Sequence, residues 1–397
     1  MSPDGRLLIV SRGVRGVADG AVAVALSAYL THLGFSGGRI GLIVTSMLAG
    51  SALLTFLVGT RAHSLARRTL LQIGALTMLV TGLVYATATT FVVLLVVGFV
   101  GTLNPTGGDV SVFAPIEQSL LPGTVDDRRR TATFARYAFV GSMCVAIGSL
   151  AAGLPGLLAR AADADPESAL RWVFVAYAVA GCGVLWVSRS LSPAIEPPPS
   201  AAPTPLGPSR AIVLRLAALF SLDSFAGGFT VQSLLALWLF RRFDLSVAAA
   251  GALLSWTGVC AAVSAFASAR LARRIGLVRT MVFSHIPAQV FLILAAVMPS
   301  LWPAIVFLVL RSLLSTMDVP ARSSYVMAVV SPAERAAAAS VTNVPRALAA
   351  AIPPVGAGWM LDRSSFGWPL IIAGSLKLVY DVLLLSMFRH VRPPEEA

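Results

Sequence analysis

Twelve apolar stretches, each of about 20 residues and each closed by polar or arginine-bearing punctuation, constrain this chain more than any single motif. A run of that length crosses roughly 30 Å as a helix, the thickness of a bilayer's hydrocarbon core. The spans are 8 to 33, 39 to 60, 69 to 88, 91 to 121, 131 to 158, 170 to 189, 211 to 239, 247 to 271, 278 to 298, 301 to 327, 336 to 361 and 367 to 388. Composition agrees: 57% hydrophobic and 12% charged residues, with a mean hydropathy of +0.82, lie outside the soluble range. The expected fold is an all-α integral membrane protein with twelve transmembrane helices.

The net charge of +12 is carried almost wholly by arginine, since Lys377 is the single lysine. The arginines sit between apolar runs and form no continuous basic face, which points to membrane topology and away from nucleic acid. With the N-terminus in the cytoplasm, inside loops hold 13 arginines, Arg128 to Arg130 among them, and outside loops hold 6. Both termini are therefore expected inside, in the cell's inner membrane. The first twenty residues carry too many charges for a cleavable signal and lack a small-residue cleavage site, so the first span is expected to stay. Cys144, Cys182 and Cys260 lie in separate spans and have no metal-ligand spacing. His32, His63 and His390 fall in loops and His285 has no ligand partner near it in sequence, so no metal site and no cofactor is expected.

SLSPAIEPPPSAAPTPLGPSR, residues 190–210, is a proline-rich linker that cannot be helix, with six spans before it and six after. It divides the chain into halves 1–189 and 211–397. A shift of 210 residues lays Gly41 on Gly251, Phe56 on Phe266, Ala62 on Ala272, Pro122 on Pro332 and Arg136 on Arg346. The same shift superposes two basic loops, so the halves are expected to be copies of one ancestor.

Acids well inside apolar spans are expensive and functional by default. Asp19, Asp109, Asp223 and Asp318 occupy spans one, four, seven and ten. On one continuous helix Arg311, Asp318 and Arg322, spaced by 7 and 4, would share a face turned toward water. Pro320 would free a carbonyl near Thr316, and Pro105, Gly107 and Gly108 would soften span four beside Asp109. The i, i+4 pairs Arg15 with Asp19, Asp318 with Arg322, and Lys377 with Asp381 could instead neutralise themselves; for the last pair the structural role is preferred. Asp109 and Asp223 have no basic neighbour one turn away. An unpaired buried carboxylate takes up a proton more readily, which makes these two the expected proton carriers. Arg12 is read as a positive-inside anchor. Glu117 and Arg136 are gate candidates at the ends of spans four and five, with Arg346 as the second-half equivalent of Arg136; a structural ion pair is the other reading.

With these residues in place, the chain resembles the major facilitator superfamily over its whole length. That family has two six-helix halves and a loop signature close to G-x-L-A-D-R-x-G-R after the second and eighth helices. Here the second copy reads ARLARRIGLVR, keeping Leu271, Ala272, Arg274 and Gly276 with Arg273 at the acidic position. The first copy, GTRAHSLARR, keeps Gly59, Arg67 and Arg68 with His63 at the acidic position. The fifth span lacks the G-P-x-x-G-G signature associated with antiporters, while PPVGAG, residues 353–358, resembles it in the eleventh.

The resemblance implies that spans one, four, seven and ten line a central cavity, with Asp19, Asp109, Asp223, Arg311, Asp318 and Arg322 on the substrate and proton pathway. It implies a secondary transporter that works by alternating access, with proton-coupled efflux of a small amphipathic or cationic compound as the leading reading. Uptake or facilitated diffusion of an anion clamped by Arg311 and Arg322 is the alternative. A non-transporting receptor is the alternative from another class. The chain is expected to be a monomer and not an enzyme: it has neither a phosphate-cradling GxxxxGK loop nor a nucleophile and base constellation.

Overall fold

The computed structural model describes residues 1–61, 66–107, 111–125, 130–166, 168–196, 206–331 and 334–389. Asp109, His63, Arg128, Arg129 and Glu167 lie outside them. Among the described residues the regular structure is helical.

Spans one to three are the single helices α1 (Pro3–His32), α2 (Gly37–Arg61) and α3 (Arg67–Thr87). Span four is broken into α4 (Phe91–Val100) and α5 (Phe113–Leu120), and span five into α6 (Arg130–Ala151) and α7 (Leu154–Ala161). Span six is α8 (Arg171–Ser190). Span seven is α9 (Arg210–Gly228) followed by α10 (Gln232–Phe243), and spans eight and nine are α11 (Val247–Ile275) and α12 (Leu277–Val297). Span ten breaks between α13 (Leu301–Ser312) and α14 (Asp318–Ala328), and span eleven between α15 (Arg335–Ala351) and α16 (Pro353–Arg363). The twelfth is α17 (Trp368–Phe388).

The breaks have local causes. Pro155 and Pro353 fall in the first turn of the second piece, where a missing N–H costs nothing but the preceding helix must stop. Gly227 and Gly228 end α9. In span four, Pro105 and Gly107, which takes a φ of 63°, interrupt the helix as their composition predicts.

Eight of these spans are long and apolar enough to cross a membrane by length and composition. The four that fall short are spans one, four, ten and eleven. Among the described residues these four carry Arg12, Arg15, Asp19, Glu117, Arg311, Asp318, Arg322 and Arg346, whereas Asp223, Lys377 and Asp381 lie in spans that remain apolar enough to qualify. Outward faces are apolar, with Trp186 and Trp302 widely exposed. This is the surface expected where lipid is the solvent.

The chain packs as two compact units, Met1–Ser200 with Val231–Ser255, and Ala201–Thr230 with Trp256–Ala397. In the first, α1 packs on α6 and α3 on α8. In the second, α9 packs on α15 and α12 on α17. Span one on five and three on six thus recur as seven on eleven and nine on twelve, the pattern an internal duplication leaves.

The α1 and α6 backbones approach so closely that a methyl group at Gly148 would run into the Val17 carbonyl oxygen. Small residues permit such contact where lipid supplies no hydrophobic drive between helices. The core of the second unit gathers Leu216, Phe220, Val282, Tyr325, Tyr380 and Phe388.

Candidate functional site: a buried ion network

Each unit holds a buried polar cluster. In the first, the Glu117 carboxylate on α5 accepts from Arg15 and from Ser11 on α1 (2.7 Å), and from the Tyr137 hydroxyl on α6 (2.6 Å). Arg15 also donates to Ser111 at 3.2 Å and lies over the Phe113 ring, 4.4 Å from its centroid. A carboxylate met by a cation and two hydroxyls has its lone pairs well used, which is the condition for leaving it buried.

The gate pair expected from spacing does not form here. Glu117 is fully buried against Arg15, whereas Arg136 is exposed. One helical step decides this: Tyr137, next to Arg136, is the residue on the inward face of α6. Arg12 is no surface anchor either, being only 2% exposed and set over the Tyr137 ring. Asp19 is buried on the same helix.

The second unit concentrates more charge. Asp223, on α9, sits at its centre and is 6% exposed. Its Oδ1 accepts from Lys377 Nζ of α17 at 2.6 Å, and its Oδ2 from Arg322 Nη1 of α14 at 3.1 Å. Arg322 also faces Asp318 Oδ2 at 3.6 Å, one turn away on α14. His285, on α12, lies between two acids. Its Nδ1 is 3.0 Å from both oxygens of Asp381, and its Nε2 is 3.9 Å from Asp223 Oδ1. The Tyr380 ring packs edge-on against the imidazole at 6.0 Å. Arg346, on α15, borders the cluster and donates from Nε to the Ser224 hydroxyl at 3.1 Å.

Three expectations change here. Asp223 has no cation one turn away on its own helix, yet two other helices each deliver one. Lys377 and Asp381 share the expected face of α17, but they do not pair with each other: Lys377 bonds Asp223 and Asp381 bonds His285. Arg311, Asp318 and Arg322 do not share one helical face, because span ten is broken across 313–317 and Asp318 opens the new helix.

Pro320 is the third residue of that helix, where no intrahelical acceptor awaits its missing N–H. The Asp318 carboxylate at the helix start is favoured by the partial positive charge there. Thr316, in the break, donates to the Ala261 carbonyl of α11 at 2.6 Å. The Asp318 and Arg322 pair forms as the i, i+4 spacing indicates. His285 is the residue that sequence reasoning passed over. Its signal would have been a histidine deep in an apolar span, a costly placement for a group that must be hydrogen-bonded.

The basic loops behave differently in the two halves. Arg273 and Arg274 are exposed at the end of α11, and Gly276 takes a φ of 85° that only glycine adopts freely, turning the chain into α12. In the first half Gly59 lies in α2, and the acidic position falls outside the described residues. The start of α3 is nevertheless met by an acid from elsewhere, because Glu196 accepts the backbone N–H groups of Arg67 and Arg68 at 3.0 and 2.9 Å. A carboxylate at a helix N-terminus satisfies orphan donors and the dipole together.

Beside the start of α15, Glu334 similarly accepts from Ser209 and Ser331 and from the backbone N–H of Gly207. The bond from Ser209, then those from Gly207 and Ser331, hold its carboxyl below the ordinary range.

Comparison with known proteins places this geometry. Residues 216–397 match the family model of the Major Facilitator Superfamily. The chain is 25% identical over 425 residues to YJR124C, an uncharacterized membrane protein of Saccharomyces cerevisiae, spanning 98% of this chain and 95% of that protein. The nucleoside transporter NupG superposes with a TM-score of 0.73 over 98% of this chain and 100% of its own, at 16% identity. A bacterial homologue of the human lysosomal transporter Spinster, inward-facing and unoccupied, superposes with a TM-score of 0.69 at 16% identity, over 97% of this chain and 96% of its own.

Proposed function

We propose that this chain is a transporter of the major facilitator superfamily, a proton-coupled antiporter exporting a small amphipathic or cationic compound. The family match over residues 216–397 and the fold shared with solved transporters support a multi-pass membrane transporter over an enzyme; substrate class, coupling ion and direction are our reading. The halves 1–189 and 211–397, joined by the linker 190–210, alternate access to a midplane site. The protein acts as a monomer in the inner membrane with both termini in the cytoplasm.

The observation that carries this reading is the double engagement of Asp223 by Lys377 and Arg322. A proton or a substrate cation arriving at Asp223 competes with both side chains for one carboxylate. Displacing them loosens α9 from α14 and α17. Breaking a buried pair costs about 3 to 5 kcal/mol. Moving a two-state equilibrium from 1:99 to 99:1 takes about 5.5 kcal/mol, so occupancy of Asp223 supplies the larger part of what a full shift of access needs. Asp109, outside the described residues, is proposed as the first half's acid, and Asp19 and Asp318 as charges that shape the pathway. Arg346 is proposed as a gating residue; Arg136 and Glu117 keep that role only if another conformation brings them together.

One observation favours the second reading, anion uptake. Among the described residues Arg311 meets no acid, and its buried Nε has no hydrogen-bond acceptor. An anion would supply one.

The test uses sealed everted vesicles under an imposed pH gradient, with an internal dye reporting proton release as cationic, neutral and anionic compounds are added. Release by a cationic compound in wild type but not in correctly inserted Asp223→Asn or Asp109→Asn supports antiport. Proton movement in the opposite sense with an anion selects uptake, and no movement with any compound rejects proton coupling.

A further inference from the structure

Resting on the proton-coupled reading, we infer that His285 is the group that carries the proton, relaying it between Asp381 and Asp223. The three side chains stand in line across α17, α12 and α9, each less than 10% exposed. The imidazole has two nitrogens on opposite edges, and each faces a different carboxylate: Nδ1 the two Asp381 oxygens at 3.0 Å, Nε2 the Asp223 Oδ1 at 3.9 Å.

A structural histidine needs one such contact. A relay needs two, unequal in length, so that the proton is held on the ring in one state and passed on in another. Histidine is also the side chain whose charge ordinarily changes between pH 5 and 8.

The surrounding charge supports the same assignment. Facing the ring are Asp223 from α9 and Asp381 and Tyr380 from α17. Asp223 is itself held by Lys377 of α17 and Arg322 of α14, Arg322 meets Asp318, and Arg346 of α15 bonds Ser224 beside Asp223. The ring is the member of this network that stands between two carboxylates.

The transfer balances simply. The Nε2–H bond breaks with its electron pair left on nitrogen, an O–H bond forms at Asp223 Oδ1, and Nδ1 keeps its proton toward Asp381. The gap of 3.9 Å is about 1 Å longer than a hydrogen bond, so the step requires the ring or the carboxylate to turn. Release of Lys377 from the same Oδ1 frees that oxygen to accept. Reloading needs the ring to turn so that its bare nitrogen meets Asp381 after that acid has taken a proton from water; the Asp381 O–H bond then breaks and an N–H bond forms at the bare nitrogen, restoring the doubly protonated ring.

The test needs no known substrate. A variant with His32, His63 and His390 replaced by Gln leaves His285 as the sole imidazole, and its ring nitrogens are followed by 15N NMR in nanodiscs from pH 5 to 9. The expected result is a ring protonation pattern that responds to pH and changes in Asp381→Asn and again in Asp223→Asn. A ring that keeps one protonation state throughout, or a pattern indifferent to both acids, overturns the relay.

In the vesicle assay, His285→Gln is expected to lower compound-driven proton release by roughly 100-fold while exchange of compound for compound persists. Release that survives in His285→Gln overturns the relay alone. Absence of release in wild type overturns the proton-coupled reading and the relay with it.

Discussion

Replacing Asp223 with Asn takes the acceptor from two buried cations at once, and the cost can be worked from the contacts. At an effective dielectric of about 20, the 2.6 Å and 3.1 Å pairs are worth about 6 and 5 kcal/mol of gross attraction. Desolvation of each ion consumes several kcal/mol, so the pairs themselves add little net stability. The mutant keeps the desolvation and loses the attraction. Arg322 retains Asp318 at 3.6 Å, and Lys377 is left as the uncompensated charge.

The expected loss is about 3 to 5 kcal/mol for Asp223→Asn. Lys377→Met, which leaves Asp223 with Arg322, costs less, about 1.5 to 3 kcal/mol. The double variant removes the defect together with its cause and loses less than the sum by about 0.5 to 3 kcal/mol. Reversible unfolding by dodecyl sulfate in mixed micelles, followed by far-ultraviolet circular dichroism, measures all three. An Asp223→Asn protein within 1 kcal/mol of wild type, or strict additivity in the double variant, would refute the reasoning.

Three further outcomes follow from other contacts. Glu117→Gln keeps the side-chain shape but leaves Arg15 buried without its anion, and the same unfolding assay should register a loss of about 3 to 5 kcal/mol. Gly148→Ala forces a methyl group into the Val17 carbonyl and should cost about 1 to 3 kcal/mol as α1 is pushed off α6. Glu334, whose carboxyl is held below its ordinary range by its hydrogen bonds, contributes its anchoring above the unfolded value of about 4.3 and loses it as pH falls through the lower folded value. Hydrogen exchange at Gly207 should therefore be faster in Glu334→Gln than in wild type at pH 7, with the two converging only below about pH 4; equal rates at pH 7 would discount the contact.

How far the site was legible can be judged residue by residue. That span ten is softened was written in the chemistry of 311–325, since an acid and a proline inside an apolar run oppose a continuous lipid-facing helix; that it breaks into two helices was not. Nor was the position of the interruption, ahead of Asp318. The pairing of Asp318 with Arg322 was legible because both lie on one helix, where spacing fixes geometry. The partners of Asp223, Glu117 and Asp381 were not. Lys377 is 154 positions from Asp223, Arg15 is 102 from Glu117 and His285 is 96 from Asp381. Periodicity assigns a side chain to a face of its own helix, and only packing decides which neighbour that face meets.

The amino-acid sequence alone determined that this chain inserts in a bilayer as apolar helices, where those helices weaken, and which spans bear charge. These are properties of local composition, and each follows from the cost of exposing a backbone or a charge to hydrocarbon. The tertiary structure decided how the charges are shared. It turned Asp223 from an acid without a cation into one that holds two, separated Lys377 from Asp381, buried Glu117 beside Arg15 instead of Arg136, and set His285 between two carboxylates. The relative rotation of packed helices makes that choice, through contacts such as the bare backbone at Gly148, and it is a sum over many side chains that no window of sequence contains.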